Sequence, residues 1–342
     1  MKKEHLKAFK ALLTDVFFGC YTVFISKKVI LDLMILGQRR LEYQMKESMW
    51  LLAIGVVIGL LMFFLNKPSI GRAIQGIRTQ SDAKGTKNIL IWVIVFILLV
   101  TFVAGFRISQ VSMTEFLSQK GFQGVIRIFG QMLNPNFAIL EMTLQAALET
   151  IFMALMATLF SLPFAFILSF FAARNLMIQH PVLRAVYYSA RFVLNLTRSI
   201  EPLIWAIVFS VWVGIGPFAG MLALMLHSIA SLAKLYSEQI ENIDDGPMEA
   251  MIATGASPVQ VVWFGVVPQI TLPFLSFTIY RWDINVRMAT VIGLVGGGGL
   301  GTLLMQYQGL AKWSEVGLIV IVIAIIVWVM DYASAKIREA IK

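Results

Sequence analysis

Four stretches of this chain, residues 49–65, 89–106, 144–171 and 316–329, are so apolar that Glu149 is the one ionisable acid or base among them. A helix needs about 20 mostly apolar residues to cross the ~30 Å of hydrocarbon in a bilayer. Lipid offers the backbone no hydrogen-bonding partner, so such runs must be helical. Three less clean runs, 203–213, 218–236 and 272–295, lie between the last two. The first of them is short, and residues 192–196 upstream extend it on the cytoplasmic side. The predicted fold class is therefore all-α integral membrane.

Composition supports the same class. Of the 342 residues 58% are hydrophobic and 14% charged, whereas soluble domains carry about 25% charged residues. The formal net charge of +9 does not point to nucleic acid, because the lysines and arginines sit between apolar runs as positive cytoplasmic loops do. No basic helix interleaved with exposed aromatics stands out. Cys20 is alone, which excludes an intrachain disulfide. The start MKKEHLKAFK is basic like a secretion signal but lacks a small-residue cleavage site, so it is expected to be retained.

The basic loops also orient the chain. Lys67, Arg72, Arg78, Lys84 and Lys87 face one acid, Asp82, in residues 66–88, and Arg174, Arg184, Arg191 and Arg198 face none in 172–200. Both loops are expected in the cytoplasm, which puts 107–141 outside and the tail with Lys336, Arg338 and Lys342 inside. Residues 11–36 are a poor span, interrupted by Asp15, Lys27, Lys28 and Asp32. They either cross, as the lysines at 2, 3, 7 and 10 favour, or lie as an amphipathic surface helix.

Several breakers fall within or beside the spans. Pro163 predicts a kink. Gly214-Ile215-Gly216-Pro217 predicts a tight turn, with the proline in the first turn of the next helix. Gly296, Gly297, Gly298 and Gly299, continuing to Gly301, should not form a stable helix. Irregular backbone at membrane depth survives when buried in protein or lining a wet cavity, so this run is either a gate on a pathway or a loop at the outer surface. Gly296, Gly298 and Gly301 also satisfy the dinucleotide-binding spacing G-x-G-x-x-G, but with no preceding strand the match is discounted.

Residues 246–268 lie between two spans. They open with Gly246-Pro247 and read as a short helix, a turn at Gly255, and a second helix leading into the next span. A cytoplasmic helix–turn–helix with small surface residues suits docking in a partner's groove, or is an ordinary loop helix capped by Gly255. Glu249, Ala250, Gly255 and Pro268 resemble, at matching spacing, the EAA loop of binding-protein-dependent ATP-driven importers. Met251 replaces the second alanine, and Gly265 and Val267 replace the usual isoleucine and leucine. From about Asn134 onward the chain is similar to the permeases of phosphonate importers, through GPFAG at 216–220, IYRWDINVR at 279–287 and the glycine run. The first 88 residues carry no such likeness and look like an extension.

That resemblance implies a type I importer transmembrane domain of five core helices, plus two or three N-terminal helices. It implies a second permease copy, most simply an identical one, enclosing one substrate path in the lipid of the bacterial inner membrane. It also implies two ATPase subunits on the cytoplasmic side and an extracytoplasmic phosphonate-binding protein. No G-x-x-x-x-G-K-[ST] loop occurs here, so ATP and Mg belong to the partner and no cofactor is expected in this chain. The domains expected are an extension over 1–88, a further membrane helix and external segment over 89–142, the permease core over 143–332 with its EAA loop at 246–268, and a cytoplasmic tail over 333–342.

Ionisable groups inside spans narrow the site, since they face the protein interior or a cavity. Asp283 and Arg287 stand four apart and are expected to pair, and Arg287 is also a candidate for the substrate pathway, with Arg281, Asn285 and His227. Arg281 and Asn285 share another face without an evident partner. The guanidinium can fork onto phosphate-like oxygens, or it pairs with Glu201 or backbone carbonyls. His227 either bonds between helices or touches the pathway. Arg198, Ser199, Glu201 and Pro202 suit anchoring at the headgroups. No metal-ligand spacing and no nucleophile–base pair is evident, so an enzyme is not indicated. The rival readings are an importer of amino acids or metals, and an ion-coupled secondary transporter, which should show internal repeats that are not seen.

Overall fold

The computed structural model describes residues 2–35, 45–64, 70–75, 84–109, 111–178 and 180–341. All regular elements among them are helical, and they form two compact units, Met1–Gly121 and Phe122–Lys342. Lys67, Arg78 and Asp82 of the first basic loop lie outside the described residues.

In the first unit, α1 (Lys2–Phe24) continues into a π-helical stretch, Ile25–Ile35, and is followed by α2 (Met45–Phe64), α3 (Ile70–Ile74), α4 (Lys84–Ile108) and α5 (Met113–Phe116). Three of the charges that made 11–36 a poor span, Asp15, Lys27 and Lys28, are satisfied. Lys28, 2% exposed, pairs with Glu47 at 2.5 Å, and Lys27 reaches the same carboxylate at 3.5 Å. Asp15 accepts a hydrogen bond from the Gly71 amide at 2.8 Å. With the polar groups paired, His5–Leu31 is long and apolar enough to cross. The helices α1 and α2 run antiparallel, Val16 opposite Gly59, Cys20 opposite Gly55, and Lys28 opposite Glu47. Gly55 and Gly59 form a small-xxx-small seam, and a side chain at either would collide with α1 backbone.

The second unit opens with α6 (Gln119–Met132), a strongly amphipathic helix in the segment read as external. A 3₁₀ turn, Phe137–Ile139, leads into α7 (Leu140–Phe171), which continues as one helix through Pro163. Then come α8 (Arg174–Met177), α9 (Pro181–Ser199), α10 (Pro202–Val213), α11 (Pro217–Glu241), α12 (Asp245–Ala253) and α13 (Pro258–Gln260). A π-helical stretch, Val261–Val266, joins α14 (Val267–Gly293), and α15 (Gly299–Gly309) and α16 (Trp313–Ile341) complete the chain. Among the described residues six helices are long and apolar enough to cross, and a seventh crossing is made if α9 and α10 count together. Counted so, the second unit has five candidate crossings among its described residues: α7, the α9–α10 pair, α11, α14 and α16.

Residues 192–196 do not extend the 203–213 span in line, contrary to the sequence expectation. They belong to α9, which meets α10 at 90°. Pro202 supplies the reason, because its ring disfavours helical geometry in the residue before it. Glu201 accordingly has φ −61° and ψ 139°.

Small residues let the core helices approach closely. Ala154, Ala157 and Ala165 of α7 and Ala219, Ala223 and Ala230 of α11 are all buried. Nearer the α11 C-terminus, Tyr236 stacks on Phe274 of α14 with ring centroids 3.8 Å apart. Its hydroxyl is 2.6 Å from that of Thr278.

Candidate functional site

The α11–α14 connection is a braced helix–turn–helix, as its sequence predicted. Asp244 caps α12 by accepting from the Gly246 amide at 3.1 Å. At the other end Gly255 has φ +78°, which glycine adopts without steric cost. The Gly255 amide donates to the Ile252 carbonyl at 2.9 Å and the Ala256 amide to the Met251 carbonyl at 3.3 Å, the paired bonds of a Schellman end. Ser257 then starts α13, its amide donating to Gln260 Oε1 at 2.8 Å. Glu249 and Ala250 are exposed and Met251 is half-buried. Pro268 sits in the first turn of α14, where its missing N–H leaves nothing unbonded.

Gln269, which sequence reasoning missed, locks this hairpin to α14. Its Oε1 accepts from the Asp244 amide at 3.1 Å, and its Nε2 donates to the Asp244 carbonyl at 3.2 Å and the Gly265 carbonyl at 2.7 Å. A β-carbon at Gly265 would come within 3.3 Å of the Met248 backbone, so glycine there lets α12 lie close. At the end of α11, Glu241 accepts from the Arg174 amide at 2.7 Å and from Arg191 at 2.5 Å. The hairpin therefore stands on a stiff base.

Halfway along the bundle lies a buried polar layer. Asn285 Nδ2 donates to Thr158 Oγ1 at 2.8 Å and Ser228 Oγ at 2.9 Å, and Arg281 Nε donates to Ser228 Oγ at 3.1 Å. The sequence left Arg281 and Asn285 without partners. The structure corrects this, because hydroxyls of α7 and α11 face them across the helix contacts. The correction is incomplete for Arg281. It is 7% exposed, its Nη2 has no hydrogen-bond partner, and it forms no ion pair with Glu201 or any other carboxylate among the described residues. A charge at the centre of a membrane helix costs at least ~2.5–3.5 kcal/mol. His227, half-buried, also has an unpartnered ring nitrogen, Nδ1.

Arg287 is different. It pairs with Asp283 at 2.6 Å, as its spacing predicted, and also with Asp331 of α16 at 3.1 Å. Two carboxylates share this cation and tie α14 to α16, leaving Arg281 as the core arginine whose charge is unanswered among the described residues.

The glycine run is buried between α7, α11 and α14. Gly296 and Gly298 have φ +87° and +82° and are not helical. Gly299 keeps a left-handed φ of +66° at the first position of α15, while Gly301, expected to be irregular as well, instead lies in the first turn of that helix. Two features override their low propensity. Glu149 accepts from the Gly299 amide at 3.0 Å and Thr150 from the Leu300 amide at 2.9 Å, capping the helix from α7. Gly301 also lets α15 touch the α14 backbone at Thr290 and Gly293.

Five candidate crossings, a braced hairpin between α11 and α14 and a buried polar layer make up an integral membrane protein. The chain belongs to the binding-protein-dependent transport system inner membrane component family, whose model matches residues 137–335. It is thus a multi-pass permease subunit of the cell membrane. It is 36% identical over 222 residues to the phosphite transport system permease protein PtxC of Stutzerimonas stutzeri, covering 65% of this chain and 79% of that one. It is 37% identical over 215 residues to the phosphate-import permease protein PhnE of Mycolicibacterium smegmatis, covering 63% of this chain and 40% of that one. Among solved structures, a chain of the MetNI methionine ABC transporter, in an inward-facing crystal form, matches with a TM-score of 0.51 at 23% identity, covering 60% of this chain and 99% of that one. The last likeness concerns the fold alone.

Proposed function

We propose that this chain is the permease of an ATP-driven importer for phosphite, phosphonate or a related phosphorus oxyanion, working by alternating access. Two copies enclose the path, two ATPase subunits carrying ATP and Mg dock from the cytoplasm, and an extracytoplasmic binding protein delivers the cargo. The cargo class rests on relatives named for phosphite and phosphate import and on an unneutralised arginine in the core.

One observation carries the coupling role. The hairpin is stiff, yet it presents Glu249, Ala250, Ile252 and Val259 outward, with Ile252 60% and Val259 77% exposed. A rigid base with an exposed apolar and acidic tip is what a groove on an ATPase requires to receive force. The buried glycine loop, Gly296 to Gly301, is the proposed hinge of the outer gate, and Arg281, Asn285 and His227 the proposed pathway contacts.

The test is Glu249→Arg in the reconstituted transporter. Reversing this charge should lower binding-protein-dependent uptake about tenfold or more, as losing a charged hydrogen-bonding contact does, while the permease still inserts. Full uptake with normal ATPase assembly would remove the hairpin from the coupling path.

A further inference from the structure

The unanswered cation and the elbow between α9 and α10 lie at the same level of the bundle. The helix α10 has 12 residues, about 18 Å at 1.5 Å per residue. It turns through Gly214–Gly216 into α11, so Pro202 comes back level with Ser228, which lies eleven residues, roughly 16 Å, below Pro217. Ser228 is the hydroxyl that holds Arg281. His227, next to it in sequence, has Arg281 and Arg198 as its charged neighbours and the Ile200 carbonyl against its ring. It links the arginine on α14 to the elbow.

We propose that this elbow is a binding site for a tetrahedral phosphorus oxyanion, formed by Arg281, His227 and the open N-terminus of α10. The inference rests on the importer reading and deepens it by naming where the cargo is held midway. Three independent features converge there. Arg281 Nη2 is buried and unbonded. His227 Nδ1 is buried and unbonded. The N-terminus of α10 receives no side-chain cap, and Glu201 at the cap is exposed.

Each feature favours the same ligand. A helix N-terminus attracts negative charge through its aligned dipoles and its free N–H groups, here that of Leu203, since Pro202 has none and the Ile204 amide donates to the Glu201 carbonyl at 3.0 Å. A guanidinium donates two parallel N–H groups to neighbouring oxygens of one anion. Imidazole has its other nitrogen available for the Ile200 carbonyl, and its Nδ1 donates once a bound anion draws a proton onto the ring. The network of Asn285, Thr158 and Ser228 holds the arginine by its Nε alone, which leaves the outer edge of the fork for the ligand. A zwitterionic amino acid or a metal cation would leave part of this set unmatched.

The experiment compares wild type, Arg281→Gln and Arg281→Lys in the full importer, reconstituted with its ATPase and binding protein. Readouts are uptake of phosphite and methylphosphonate, basal ATPase activity, and melting temperature with and without phosphite. Wild type should take up an oxyanion and melt higher in its presence. Arg281→Gln should keep an undiminished ligand-free melting temperature, lose the phosphite-dependent rise, and lower uptake about tenfold or more, as for a lost charged hydrogen bond. Arg281→Lys keeps the charge without the fork, so it should fold like wild type and show a reduced rise, which decides the matter if the glutamine variant fails to assemble. Unchanged uptake and an unchanged rise in either folded variant overturn the site alone. A wild type that takes up neither anion overturns the cargo reading and the site together.

Discussion

Gln269 makes three hydrogen bonds to backbone groups at the base of the coupling hairpin. Each is worth about 1 kcal/mol net. Replacing it with leucine keeps the volume but frees Asp244 and Gly265 from α14. The transporter should remain folded and inserted, amide exchange in Asp245–Ala253 should speed up, and uptake per ATP hydrolysed should fall severalfold. Exchange and coupling ratio both at wild-type values would show that the hairpin needs no such lock. The sequence contained half of this picture. The Asp283–Arg287 pair is legible because partners four residues apart share a helix face. Asn285 and Thr158 are separated by 127 positions, and nothing local in either residue announces the other. Polar networks between helices are written in the tertiary packing.

Elements differ in the same way. Long apolar runs and the Gly255 turn state themselves locally, so the hairpin and the other long runs were readable, whereas the 89–106 run counts among the described residues only as a shorter apolar helix, Ile97–Phe106. The elbow was not, because Pro202 suited headgroup anchoring as well as a bend, and periodicity does not report the angle between two helices. The amphipathic α6 was passed over because its apolar residues are scattered among polar ones in a segment with no span. The start of α15 was misread because low glycine propensity was weighed without the caps from Glu149 and Thr150. These contacts yield a paired prediction. Gly301→Ala places a methyl against the Thr290 carbonyl and should destabilise the protein by about 1–3 kcal/mol, as overpacking does. Gly309→Ala, in the same helix, meets nothing within 4 Å and should be neutral or stabilising by up to ~1 kcal/mol. Equal melting temperatures for the two variants would contradict the close α14–α15 seam.

For the whole molecule, topology is the quantity to measure. Cys20 is the single cysteine, so Cys20→Ser gives a clean background for labelling. In intact cells an impermeant maleimide should react with Gln131→Cys, at the C-terminal end of α6, and not with Ala256→Cys at the hairpin turn. In inverted vesicles the pattern should reverse. Labelling of both positions from one side would break the alternation that sets the core's orientation. The two compact units add a second whole-molecule expectation. Gly59→Leu collides with α1 backbone and should loosen the α1–α2 pair, seen as faster proteolysis within Met1–Gly121.

The halt of α10 at Pro202 has an electrical consequence. An ion's self-energy in a lipid slab falls as the slab thins, and local thinning is one way membranes tolerate charge. On the proposed path, a wall only about 18 Å long leaves an insulating layer roughly half a bilayer deep on the inner side of the elbow. An oxyanion held at the proposed site would cross two shallow barriers in succession instead of one tall one, with the fixed positive charge of Arg281 at the saddle between them.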